Sequence, residues 1–228
     1  MNEELQRLQA VRQRIAAACE NAGRRPSEVR LLAVSKKQPA DLVRRFFALG
    51  QTAFGENRAQ EALDKQAALE GLEIEWHFIG PVQSNKARDL AERFQWVQSV
   101  DREKVLSHLS RHRPAAMPPL NICIQVNIDQ EPQKSGLDPE QLPAFAQRVA
   151  GAPNIRLRGL MALPRFTENA AETRDSFRRL RILYEELRGQ GHELDTLSMG
   201  MSGDLELAVE EGSTMVRVGT DLMGPRPG

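Results

Sequence analysis

Val29-Arg30-Leu31-Leu32-Ala33-Val34-Ser35-Lys36 is a run in which five of the first six residues are apolar, closed by a serine and a lysine. A short apolar run of this length reads as a strand buried on both faces, as parallel sheets require. Pro39 follows and begins a helical pattern over 40–49, which Gly50 ends. Upstream, Leu5, Leu8, Val11, Ile15 and Ala18 recur at helical spacing, so a helix over 3–22 opens the chain until Gly23 and Pro26 stop it.

The same alternation runs to the C-terminus. Strands are expected over 52–57, 75–80, 96–100, 121–127, 155–163, 196–200 and 214–220. Helical patterns lie between them at 58–69, 84–94, 101–112, 139–150, 168–189 and 204–211, with a Pro-rich linker at 114–119. That makes eight strands, each but the last followed by a helix. Strict alternation implies a parallel sheet with right-handed crossovers. Eight units in about 200 residues fit a closed barrel. The expected fold is α/β, a single (β/α)8 TIM barrel with an extra N-terminal helix, spanning 1–228 as one domain. The N-terminal helix would cover the wall where a helix after the eighth strand is nearly missing. An open doubly wound sheet is the alternative, but no G-x-G-x-x-G run follows the first strand, which removes its usual dinucleotide reading.

The 228 residues carry 31 basic and 31 acidic side chains, so net charge steers the chain toward neither nucleic acid nor membrane. Hydrophobic content of 40% with 27% charged residues is ordinary globular composition. Cys19 and Cys123 fall in a helical and a strand pattern, which favours two buried thiols over a disulfide. The charged N-terminus lacks an apolar leader and no segment is long and apolar enough to span a bilayer, so a soluble, cytoplasmic protein is expected.

In such a barrel the chemistry belongs at the C-terminal strand ends. Lys36 stands at one of them. A strand-end lysine is partly desolvated, which lowers its pKa and exposes an amine able to form Schiff bases with carbonyl compounds. The alternative is a solvated Lys36-Lys37 turn; Lys37 would point elsewhere.

The segments Ser198-Met199-Gly200-Met201-Ser202-Gly203-Asp204 and Arg217-Val218-Gly219-Thr220 end the seventh and eighth strands, where barrels often bind phosphate. Ser202 is expected at the N-cap of the helix 204–211, with Gly200, Gly203 and Gly219 admitting close approach of backbone N–H groups. Capping and tight turns alone are the competing account.

Alternation places Arg217 on the inner face with Met215 and Gly219, where it needs an anion or acceptor. A structural salt bridge to Glu56 is the alternative. Asn57 either meets a ligand or caps the next helix. Lys86 is the rival amine, in a segment 84–86 that most simply caps a helix. His77 reads as a packed histidine. His108 and His112 have i,i+4 spacing but no third metal ligand nearby, so they read as a solvated face.

Several blocks together carry a resemblance: LLAVSK ending at Lys36, FGEN ending at Asn57, EWHFIGPVQSNK at 75–86, KSG at 134–136, RGLMA at 158–162, LSMGMS at 197–202 and STMVRVGT at 213–220. In this order, over nearly the whole chain, they resemble the YggS/PROSC family of pyridoxal phosphate (PLP) homeostasis proteins. The resemblance implies a PLP-bound barrel similar to the N-terminal domain of alanine racemase. It makes Lys36 the Schiff-base lysine, Ser202, Gly219 and Thr220 the phosphate cradle, and Arg217 the residue facing the pyridine nitrogen. Asn57, Ser198 and Met199 would line the cofactor. An arginine at the pyridine nitrogen disfavours its protonation and makes the ring a poorer electron sink. The family often ends with an aromatic residue after G-x-R, whereas this chain ends GPRPG, so the last turn is expected to cover the barrel differently.

Three functions fit a barrel lysine beside a phosphate site. A PLP carrier would hold the aldehyde and release it to recipients, expected to be apo PLP-dependent enzymes. A racemase needs a second acid/base on the far face of the cofactor, and the single tyrosine, Tyr184, falls on an outer helix. A Schiff-base aldolase usually draws its lysine from a later strand. The carrier reading is preferred, as a monomer and without enzymatic turnover.

Overall fold

The computed structural model describes residues 3–225. Eight parallel strands close into a barrel in sequence order. They are β1 Arg30–Val34, β2 Ala53–Glu56, β3 Glu75–Phe78, β4 Trp96–Val100, β5 Leu120–Gln125, β6 Ile155–Met161, β7 Thr196–Ser198 and β8 Met215–Val218. Closure is made by β8 against β1, where Arg30 is level with Met215 and Leu32 with Arg217. The helices are α1 Glu3–Asn21, α2 Ala40–Ala48, α3 Ala59–Ala68, α4 Ala87–Arg93, α5 Glu103–His112, α6 Leu142–Gly151, α7 Ala170–Gly189, α8 Leu205–Glu210 and α9 Thr220–Met223.

Side chains alternate across each strand, and the two faces have different fates. Outward residues such as Phe54, Trp76, Phe78, Val97, Ile122, Leu197, Val216 and Val218 join the helices in one large apolar layer. Inward apolar residues form only two small clusters, Leu32 with Ala53 and Met215, and Trp96 with Cys123 and Met161. Between them the barrel interior is filled by polar side chains. Both cysteines are buried and unpaired, as expected.

The expected strands were one to two residues too long at most C-terminal ends. Those residues leave the sheet to form the barrel mouth. Two expected helices begin instead as 3-10 turns, Ser84–Lys86 and Pro139–Gln141. The short helix α9 was not expected. The N-terminal helix packs through Leu8, Val11, Ile15, Ala18 and Cys19 against α8 and α9, completing the outer wall. In β6 the register jumps between Leu157 opposite Ile122 and Gly159 opposite Cys123, leaving Arg158 as the extra residue of a bulge. Gly159 there has φ 159°, and a Cβ would stand 1.6 Å from the Thr196 carbonyl oxygen, so only glycine fits. Among the described residues no helix is long and apolar enough to cross a membrane.

Candidate functional site

A cavity of about 370 Å3 opens at the C-terminal mouth of the barrel. Its wall includes Lys36 after β1, Asn57 after β2, Met161 at the end of β6, Ser202 and Gly203 after β7, and Arg217, Gly219 and Thr220 of β8 and α9. Six of the eight residues expected to form the site therefore meet around one space. Ser198 and Met199 do not reach it. Ser198 is buried one layer down, beneath Arg217. Met199 is buried in the apolar layer between barrel and helices, because β7 ends at Ser198 and the next side chain turns outward.

Lys36 and Lys37 are the central pair of a tight turn closed by Gln38 N–H donating to the Ser35 carbonyl at 3.0 Å. Lys37 takes a left-handed φ of 61° and its amide donates to Glu61. The turn sends Lys36, half-buried, into the cavity wall and leaves Lys37 exposed outside it. Beneath it, Ser35 Oγ donates to Glu56 at 2.7 Å, and Lys65 Nζ donates to both the Ser35 carbonyl and Glu56 at 2.6 Å. Burial pushes the Glu56 carboxyl up, and Lys65 pulls against it. The alternative pairing of Glu56 with Arg217 does not occur. Lys86 lies in a separate groove and faces Asp89 at 3.8 Å.

The turn after β7 departs from expectation. The N-cap of α8 is Asp204, not Ser202; Asp204 Oδ1 accepts from the Met201 amide at 2.6 Å. Gly200, at φ 94°, serves packing, since a Cβ would stand 2.5 Å from that of Ala208. Gly203 faces open space. Among the described residues the amides of Ser202, Gly203 and Gly219 have no backbone acceptor. Donors left unpaired at a cavity wall suit an oxyanion.

Arg217 points inward as its strand parity requires and is buried. Its Nη1 donates to the Ser198 carbonyl and hydroxyl at 2.7 Å, and its Nη2 to the Ala162 carbonyl at 2.9 Å. A guanidinium has five N–H donors, so two lack a protein acceptor among the described residues. Burial lowers its pKa to about 10, which leaves it cationic at neutral pH. Asn57 caps nothing, and its side chain has no hydrogen-bond partner among the described residues. One amine, several unpaired amides and a half-used guanidinium thus surround a space for a small flat anion bearing a carbonyl.

The apolar walls at Ile79, Leu163 and Met201 were missed, because nothing in the local pattern tells where a loop folds back over a mouth. The turn at Gly224 (φ 82°) also lines the cavity, while the expected effect of the divergent last residues, 226–228, lies outside the described residues. His108 and His112 stack at 6.2 Å, and the described residues hold no group of metal ligands.

The family model for the alanine racemase N-terminal domain matches residues 6–227. A pyridoxal phosphate homeostasis protein of Pseudomonas aeruginosa is 54% identical, over 99% of this chain and 97% of that one. The chain belongs to the pyridoxal phosphate homeostasis protein family. A solved member-like structure, PipY of Synechococcus elongatus with PLP bound, superposes with a TM-score of 0.85 at 39% identity, covering 97% of this chain and all of the other. Alanine racemase of Corynebacterium glutamicum gives 0.72 at 18% identity, covering 94% and 61%, a likeness of fold. Within the homeostasis family, the site described above occupies the face on which barrels place their chemistry.

Proposed function

We propose that the chain holds PLP covalently on Lys36 and passes it to apo PLP-dependent enzymes, as a monomeric cytoplasmic carrier. The observation that carries this is the single cavity shared by the Lys36 amine and the unpaired amides of Ser202, Gly203 and Gly219. PLP bound to the related PipY supports the identity of the ligand.

The residues fit the group. Lys36, on the cavity wall, is the residue that would hold the aldehyde, as a Schiff base on its amine. The amides at 202–203 and 219, with the Ser202 and Thr220 hydroxyls, would hold the phosphate. Arg217, with two uncommitted N–H groups, would face the pyridine nitrogen, where a donor would disfavour protonation. Asn57 is placed on the wall near Gly80, with an amide free to bond the ligand. Ser198 acts only through Arg217, and Met199 has no contact role. When bound, PLP supplies an electron-withdrawing ring conjugated to the amine it has condensed with.

Turnover as a racemase requires an acid/base opposite Lys36. Tyr184 lies on α7 in the outer layer and donates to the Leu194 carbonyl at 3.0 Å, before β7 begins and so at the opposite end of the barrel. Holding without turnover is the reading this favours.

Purified protein is expected to show a visible absorption band that borohydride bleaches, with the reduced cofactor on the Lys36 peptide. Lys36→Ala should lose the label and Lys37→Ala should keep it. Label that persists in Lys36→Ala, on Lys86 for instance, would overturn the assignment.

A further inference from the structure

The barrel axis holds a single file of buried polar side chains. Glu75 and His77 lie two residues apart on the inner face of β3, and Glu75 accepts from His77 Nε2 at 2.7 Å and from Arg30 at 2.7 Å, at the lower rim. His77 Nδ1 meets Gln98 Nε2 at 2.9 Å. Gln98 Oε1 accepts from Ser198 Oγ at 2.6 Å, and Ser198 Oγ accepts from Arg217 at 2.7 Å. His77, Gln98 and Ser198 are wholly buried, and Arg217 nearly so.

We propose that His77 and Gln98 are positioning residues for Arg217, orienting its guanidinium toward the ligand through a one-way relay of hydrogen bonds that crosses the barrel. The inference rests on the reading of the cavity as a PLP site.

The relay has one direction because its upper end has no choice. Arg217 can only donate, so Ser198 Oγ accepts and must send its own proton to Gln98 Oε1. The Gln98 amide is thereby oriented with its NH2 toward His77, which makes Nδ1 the bare nitrogen. Nε2 then carries the proton and donates to Glu75. A flipped Gln98 would make Ser198 Oγ accept from both Arg217 and Gln98, and would take away the acceptor for its hydroxyl proton. It would also turn His77 to Nδ1–H, leaving a bare Nε2 against a carboxylate or a charged imidazole in a site that burial makes hostile to charge. The donors of Arg217 at one end and the Glu75 carboxylate at the other thus demand the same Gln98 orientation and the same His77 tautomer.

An interior of this kind is not needed to fill space. Barrel cores are ordinarily packed with bulky branched apolar side chains, and a buried amide is tolerated only when bonded. The relay meets the cavity at one residue, Arg217. With Nη1 tied to Ser198 and Nη2 to Ala162, the two free N–H groups have one orientation.

Two measurements test the relay. In PLP-free protein, 15N NMR of His77 at neutral pH is expected to show a neutral ring protonated on Nε2. A ring protonated on Nδ1, or on both nitrogens, overturns the relay whatever the cofactor does. In PLP-loaded protein, Gln98→Glu keeps the acceptor for Ser198 but removes the donor to His77, and Gln98→Leu removes both. Each is expected to move the visible band by several nanometres and to weaken PLP binding about tenfold, the scale of one hydrogen bond to a charged group. Ser198→Ala, which keeps the carbonyl bonded to Arg217, should do the same if the Gln98 variants do not fold. An unchanged band and dissociation constant beside a lowered unfolding temperature would leave only a structural role and overturn the proposal. Wild-type protein that traps no PLP with borohydride would instead sink the PLP reading, and the NMR result would still decide the relay.

Discussion

Neighbouring residues at this mouth differ in use because of a single backbone dihedral. Lys36 and Lys37 are chemically alike, and the left-handed φ of Lys37 is what separates a cavity amine from a surface one. Ser202 and Gly203 work differently again, since much of what they offer is main chain. Ser202→Ala removes a hydroxyl but leaves the amide, so it should weaken PLP retention about tenfold, the scale of one hydrogen bond to a charged group, without abolishing it. Equilibrium titration at constant unfolding temperature measures this, and an unchanged dissociation constant would remove the Ser202 side chain from the phosphate site. The position was readable from the pattern of two strand ends rich in glycine and serine. The cap was not. Asp204 holds the cap position because the helix starts at Leu205, and its carboxylate bonds the Met201 amide of the preceding turn rather than a helix amide, a contact invisible in spacing alone.

Elements carry a second level of constraint. The strand–helix count gave the barrel because each strand here is short, apolar and bounded by its own stop signals. The contents of the barrel were less accessible. Gln98, in Trp96-Val97-Gln98-Ser99-Val100, shares an inward parity with Trp96, and that lone amide was a signal available but unused. Side-chain partners across the barrel come from strands far apart in sequence, so no local pattern could pair it with Ser198. Two predictions belong at this scale. Lys65 of α3 and Glu56 of β2 form a pair in which both side chains are at most 7% exposed. Lys65→Met would strand the carboxylate in the interior and should cost about 3–5 kcal/mol by denaturant unfolding. Combining it with Glu56→Gln should recover much of the loss. On β3, burial by itself would raise Glu75, but the bond from His77 and the charge of Arg30 hold its carboxyl down to about 2. A depressed native pKa contributes stability that is fully present above the unfolded value, ~4.3, and is lost as pH falls toward 2. Glu75→Gln should therefore be less stable than wild type at pH 7, with the gap closing between about pH 4 and 2. A gap that stays constant across that range would show that the carboxylate charge is not what stabilises β3.

For the molecule as a whole, the question is what holds a mouth built from the two ends of the chain. The phosphate-facing turns follow β7 and β8, and α9 behind them has only four residues. A helix that short cannot stand on its own hydrogen bonds. Support comes from α1, whose Arg14 reaches three places at once. Its guanidinium donates to Glu206 of α8 at 2.6 Å, to Asp221 of α9 at 2.6 Å and to the Ser202 carbonyl at 2.8 Å. Arg14 does not line the cavity, yet it ties both halves of the proposed phosphate cradle to one side chain. Partial exposure discounts the ion pairs as sources of stability, so the expected effect falls on geometry. Arg14→Ala should speed PLP release several-fold while shifting the unfolding temperature by only a few degrees, within the range of an ordinary surface substitution. Arg14→Lys should behave like the alanine variant, because a point charge cannot fork to three acceptors. Stopped-flow capture of released PLP by a scavenging apoenzyme reads the rate directly. Release at the wild-type rate in both variants would mean that the two turns hold their shape without the N-terminal helix.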